Sequence, residues 1–216
     1  EKTEDAYATA TGMAAVHGAL FSILKSGDHL VASRALFGSC LYIIEELLPR
    51  FGVKITFVNG TDLDDWESAI TTNTKVVFLE TISNPTLEII DLAAVSKIAH
   101  RKGALVVVDN VFTTPVFSLA SSLGADVIIY SATKHIDGQG RCLGGIICGS
   151  KEFIKDLILP FMKHTGGSLS PFNAWIMLKS LETINIRCQA QAESSLKIAK
   201  TLEKHPKIQK ITYPYL

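Results

Sequence analysis

Neither sign of charge is in excess in this sequence of 216 residues: 21 Lys and Arg stand against 21 Asp and Glu, and no basic stripe is visible. A nucleic acid or an anionic membrane surface is therefore not an expected partner. Long apolar runs are lacking too, since stretches such as 105–108 and 127–130 fall far short of the ~20 residues that span a bilayer. Cysteine is sparse: Cys40, Cys142, Cys148 and Cys188 form no C-x-x-C pair and their spacing suits no zinc site. Free thiols in a reducing cytosol are expected, and no metal centre. G-x-G-x-x-G and G-x-x-x-x-G-K-[ST] are both missing, which leaves dinucleotide and P-loop nucleotide binding without support. There is no internal repeat, no low-complexity tract and no signal peptide. The chain starts Glu1-Lys2-Thr3 without an initiator Met and stops at Tyr213-Pro214-Tyr215-Leu216 without an obvious domain end, so it reads as a piece of something longer.

What the sequence does have is alternation. Strand-like runs at 6–10, 29–33, 53–58, 75–80, 104–109, 126–131 and 145–148 are separated by helix-like runs. The helices are expected at 14–25, 41–51, from Thr61 through Trp66 to Ile70, 91–102, 115–123, 151–163, 172–181 and 187–204. This order predicts βαβ units and an α/β fold around a mostly parallel sheet. The run at 145–148 is expected to return antiparallel or at the sheet edge. With 47% hydrophobic and 19% charged residues there is ample material for one large core. One boundary is expected near 184–186, dividing 1–185 from 186–216.

Open α/β sheets place their chemistry beyond the carboxyl ends of the strands, and three strands here end in suggestive residues. The run at 126–131 ends in Ser131, Ala132, Thr133 and then Lys134. An amine at that place is partly dehydrated and loses its proton more easily, as a Schiff-base nucleophile requires; a solvated surface lysine is the bland alternative. Ser131 and Thr133 alternate, so both hydroxyls can face one phosphate. Gly12 and Met13 open a helix, where free amides bind anions. Asp109 closes an apolar strand and needs a cation or donors there. A protonated pyridine nitrogen satisfies that need; so does capping the next loop. Asn84 precedes Pro85, which suits a turn, although its amide could also meet a phenolate oxygen. Phe37 follows a strand end and is either core or a ring stacked on a flat cofactor. A rival motif is Ser131-Ala132-Thr133-Lys134 read as S-x-x-K, with His164-Thr165-Gly166 loosely matching K-T-G; it makes Ser131 an acyl-enzyme nucleophile. The missing S-D-N element and a serine at a strand end both count against it.

Thr11-Gly12-Met13-Ala14-Ala15, Glu80-Thr81-Ile82-Ser83-Asn84-Pro85-Thr86, Val108-Asp109-Asn110 and Ser131-Ala132-Thr133-Lys134 follow one another in an order that resembles the transsulfuration family of pyridoxal-phosphate (PLP) enzymes. That family includes cystathionine synthases and lyases and homoserine sulfhydrylases. The stretches 134–141 and 163–175 are most similar to its sulfhydrylase branch. The resemblance implies a three-layer αβα large domain with a mostly parallel seven-stranded sheet, the fold type I of PLP-dependent transferases. It implies Lys134 as the residue that carries pyridoxal 5'-phosphate and shuttles protons, and Asp109 as the partner of the ring nitrogen. Gly12, Met13, Ser131 and Thr133 then bind the phosphate, Asn84 contacts the ring oxygen, and Phe37 stacks where most of the family has a tyrosine. The implied reaction is replacement of the acyl group of O-succinyl- or O-acetylhomoserine by sulfide to give homocysteine, in methionine biosynthesis. Cystathionine γ-synthase, cystathionine or methionine γ-lyase, and a non-catalytic PLP-binding fragment are the alternatives. The resemblance further implies a cytoplasmic homodimer or homotetramer, an arm before Glu1 that reaches a neighbouring subunit, and a domain after Leu216 that grips the substrate carboxylate. On that expectation, the chain alone has an incomplete site and little or no turnover.

Overall fold

A computed structural model of the chain describes residues 1–214 and 216. Strand β1 (Asp5–Thr9) leads into helix α1 (Gly12–Ile23) through Thr11. Thr11 has extended backbone, and its hydroxyl accepts from the Ala14 amide at 2.9 Å. This N-cap starts the helix at Gly12, two residues before the apolar pattern suggests. β2 (His29–Ser33) and α2 (Gly38–Tyr42) follow. The helical path runs on through a π-helical stretch (Ile43–Leu47) and a 3₁₀ turn (Leu48–Phe51). Pro49 has no N–H to give to the preceding turn, which accounts for the change of pitch. Then come β3 (Lys54–Val58), α3 (Leu63–Ala69), β4 (Thr74–Glu80), α4 (Leu92–Arg101) and β5 (Leu105–Asp109).

The helix expected at 115–123 is not continuous. A short α5 (Thr114–Phe117) stops where Ser118 turns extended, and a separate 3₁₀ turn covers Ala120–Leu123. The buried Asn110 side chain causes this in part, because its amide donates to the Ser118 carbonyl at 3.0 Å and takes that group out of any helix. β6 (Val127–Ser131) and β7 (Gly145–Gly149) complete the sheet. After a π-helical stretch (Phe153–Ile158), again ahead of a proline, come α6 (Leu159–Thr165), α7 (Pro171–Leu181) and α8 (Ile184–Glu203). α8 begins at Ile184, not at 187, so the boundary expected at 185/186 lies in its first turn and not in a linker.

The seven strands form one sheet in the order β1-β7-β6-β5-β4-β2-β3. The pairs linking β2 to β6 are all parallel. β7 is antiparallel to both of its neighbours and lies inside the sheet, with β1 at the edge. Side chains alternate between two apolar layers: Val106, Val108, Ile128 and Tyr130 join one, while Val107, Ile129 and Ile147 join the other. Burial on both faces explains why these strands read as unbroken apolar runs. Helices cover both faces, giving the three-layer αβα arrangement. All four cysteines are buried and unpaired.

Candidate active site

Because β2, β4, β5 and β6 run parallel, their carboxyl ends lie at one edge of the sheet, and Glu80 stands opposite Asp109 in register. Between these ends and the start of α1 is a cavity of about 270 Å³. It is lined by all eight residues singled out in the sequence: Gly12, Met13, Phe37, Asn84, Asp109, Ser131, Thr133 and Lys134.

One end of the cavity suits an anion. The amides of Gly12 and Met13 have no acceptor among the described residues, since the Thr11 cap takes Ala14 and the Thr11 carbonyl takes Ala15. They stand at the positive end of a 12-residue helix. Gly12 has a second reason to be glycine: a Cβ there would lie 2.6 Å from Ser131 Cβ. The absence of a side chain is what lets α1 and β6 meet. The Ser131 hydroxyl has no partner among the described residues. The Thr133 hydroxyl is held by Gly144, accepting from its amide at 3.1 Å and donating to its carbonyl at a long 3.3 Å. A ligand oxygen can compete for that proton.

The other end suits a cation. Asp109 Oδ1 accepts from the Val111 amide at 3.0 Å, so the loop-capping role does operate. Oδ2 has only the Cys40 thiol, at 3.9 Å. Burial, reinforced by the neighbouring Glu80 charge, pushes the Asp109 carboxyl up to about 7. The Cys40 thiol is likewise pushed far up, by burial and by both carboxylates. Atoms of Cys40, Glu80 and Asp109 lie within 4.8 Å of one another. A thiol kept protonated is a poor metal ligand, since the thiolate is what coordinates. The cluster fits a single organic cation, such as a protonated ring nitrogen, better than a metal ion.

Glu80 is the residue that sequence reasoning underused. It is buried, and its two oxygens accept from the amides of Phe37 at 2.6 Å and Asn84 at 2.8 Å. One carboxylate thus pins both loops that present the aromatic ring and the amide to the cavity. The available signal was the one that exposed Asp109: an apolar strand ending in a carboxylate. Phe37 is 41% exposed, so its ring is a wall of the cavity and not core. Asn84 is exposed and its side chain has no partner among the described residues.

Lys134 differs from expectation in one respect. It sits in the turn after β6 at the cavity rim and is exposed, not half-dehydrated. The turn carries it outward past the end of the sheet. Its amine makes no hydrogen bond or ion pair among the described residues. The serine-nucleophile reading lacks its geometry: Ser131 is the last residue of β6, not the start of a helix, and only a backbone bond, Lys134 N to Ser131 O at 3.1 Å, joins the two.

An open anion site, a carboxylate with one oxygen free of N–H donors and a free lysine amine line one cavity, chemistry that could accept a phosphorylated, cationic, carbonyl-bearing ring. Comparison with known proteins gives the family. The family model described as "Cys/Met metabolism PLP-dependent enzyme" matches residues 1–216. An O-succinylhomoserine sulfhydrylase of Mycobacterium tuberculosis is 52% identical over 98% of this chain and 52% of its own length. One from Pseudomonas aeruginosa is 46% identical over 99% of this chain and 53% of its own. An L-methionine gamma-lyase of Fusobacterium nucleatum is 39% identical. The crystal structure of metB from Corynebacterium glutamicum superposes with a TM-score of 0.97 at 31% identity, covering all of this chain and 56% of that one. The chain belongs to the Cys/Met metabolism family of PLP-dependent enzymes. It spans about half the length of the curated relatives it matches. No helix among the described residues is long and apolar enough to cross a membrane.

Proposed function

We propose that the protein carrying this sequence is a PLP-dependent γ-substitution enzyme. It replaces the acyl group of O-succinylhomoserine (or O-acetylhomoserine) by sulfide, releasing the carboxylic acid and forming homocysteine. The observation that carries this reading is a free lysine amine and a half-buried carboxylate without a cation, lining one cavity with the open amides of α1. Likeness to two sulfhydrylases supports the choice of reaction.

Bound pyridoxal phosphate supplies an electrophilic carbon for amines and a protonated ring that draws electrons from the substrate Cα. In this reading, the Lys134 amine would hold the cofactor covalently and would move the protons at the substrate Cα and Cβ. The Asp109 carboxylate keeps the proton on the ring nitrogen. The Gly12 and Met13 amides and the Ser131 and Thr133 hydroxyls bind the phosphate. The Asn84 amide donates to the ring oxygen. Phe37 covers one ring face and excludes water there, but it has no hydroxyl with which to move protons. Lys134 therefore carries the acid–base work, which suits a substitution better than a lyase that relies on a tyrosine in that place. Residues from 186 onward begin a second domain, and the enzyme is a cytoplasmic homodimer or homotetramer.

The test is an assay of the protein carrying this sequence with each acyl homoserine and either sulfide or cysteine. Homocysteine from sulfide supports the reading. Preferential use of cysteine identifies a cystathionine synthase instead, and 2-oxo acid released without any thiol identifies a lyase.

A further inference from the structure

We propose that Arg187, on α8, is a positioning residue that fixes the turn carrying Lys134; the proposal rests on the role given to Lys134 above. Its guanidinium donates to three backbone carbonyls: His135 at 2.8 Å from Nη1, and Ile136 at 3.1 Å and Ser180 at 2.9 Å from Nη2. Nε donates to the Thr183 hydroxyl at 3.0 Å. No carboxylate pairs with Arg187 among the described residues. Its charge is spent on carbonyl oxygens that begin one residue after Lys134. The planar fork reaches two successive carbonyls of the turn and the end of α7 at once, a geometry a lysine ammonium cannot copy.

The turn is shaped to receive this fork. Gly138 has φ +74°, and a Cβ there would fall 1.9 Å from Arg187 Nη1. The Gly138 amide in turn donates to the Lys134 carbonyl at 2.7 Å, and the Asp137 amide to Ala132 at 2.8 Å. A second arginine braces the far end of the loop. Arg141 pairs with the fully buried Asp137 at 3.0 Å and donates to the Ser180 hydroxyl at 2.6 Å. Ser180 thus joins both arginines to the end of α7. Without Arg187, the His135 and Ile136 carbonyls lose the donor shown for them, while the Ser180 carbonyl keeps Thr183; the backbone just after Lys134 is then held by its own short bonds and by the Arg141 brace at Asp137.

The experiment compares Arg187→Met, Arg187→Lys and Gly138→Ala in the protein carrying this sequence. Amide hydrogen exchange is read without cofactor, and the rate of pyridoxal phosphate capture at Lys134 is followed by absorbance. Arg187→Met is expected to speed exchange at Asp137 and Gly138 roughly tenfold, with Val107 in β5 unchanged. Capture slows by a similar factor, and Arg187→Lys restores little of either. Wild-type exchange and capture in Arg187→Met overturns the proposal. If exchange in β5 also rises, Arg187→Lys decides, because it keeps the charge and the stem and loses only the fork: local loosening with slower capture supports the proposal, and wild-type behaviour overturns it; Gly138→Ala, which displaces the fork and also strains the φ +74° backbone, should loosen the same amides. Faster exchange in a protein whose wild type never captures the cofactor at Lys134 would leave the clamp standing and sink the proposed function instead.

Discussion

At the scale of single residues, the electrostatics of the cavity floor make a signed prediction. The Asp109 carboxyl titrates near 7 in the folded chain, raised by burial and by Glu80, against about 4 when unfolded. A raised acid favours the folded state fully only below the unfolded value. Stability from this group therefore falls as pH rises from about 4 to about 7 and stays low above that. The cofactor-free chain should melt at a higher temperature at pH 5 than at pH 8 on this account, and Asp109→Asn should shrink the difference. Thermal melts of both proteins at the two pH values check it. A bound ring cation should also shrink the difference, since it favours the ionised carboxylate. Glu80→Gln keeps one acceptor but turns an amide group toward a loop N–H. It should cost about 1–3 kcal/mol by denaturant titration, the usual result of an unsatisfied buried donor. Gly12→Ala forces a methyl against Ser131; the expected loss is about 1–3 kcal/mol, typical of overpacking, together with weaker cofactor binding.

Among the elements, what the sequence reveals divides by cause. β4, β5 and β6 were legible because burial on both faces leaves apolar runs that little else produces. The antiparallel return of β7 was legible, but its place inside the sheet was not, since no local feature says that β1 will pair beyond it. Residues 115–123 read as one helix because the interrupting contact comes from Asn110, whose reach to Ser118 has no local signature. The sequence places the start of α8 three residues late, because the partly buried Ile184 and the exposed Ile186 give no helical apolar pattern in its first turn. In the site, the eight lining residues were legible as strand and helix ends. The strut role of Glu80 was not, because it depends on two loops converging from distant positions. Thr11 tests the element that forms the anion end. Thr11→Ala removes the cap bond to Ala14 and should cost about 0.5–2 kcal/mol, while Thr11→Ser should restore most of it; urea titration of the pair reads the difference.

On the scale of the whole molecule, the parallel sheet does the assembling. It brings Asp109 from β5, Ser131 from β6 and the loops after β2 and β4 to one edge, against the start of α1. No two of these segments are neighbours in sequence, so the cavity exists only in the folded chain. Its two electrostatic ends, amides at α1 and carboxylates at β4 and β5, orient a ring that is anionic at one side and cationic at the other. Lys134, exposed in the turn after β6, lines the same cavity. The most direct test of this arrangement is borohydride reduction of the folded chain after incubation with pyridoxal phosphate, followed by peptide mapping. The expected result is one dominant reduced adduct, on Lys134, that disappears in Lys134→Ala and weakens in Asp109→Ala. Labelling spread over surface lysines and unchanged in Lys134→Ala would contradict it.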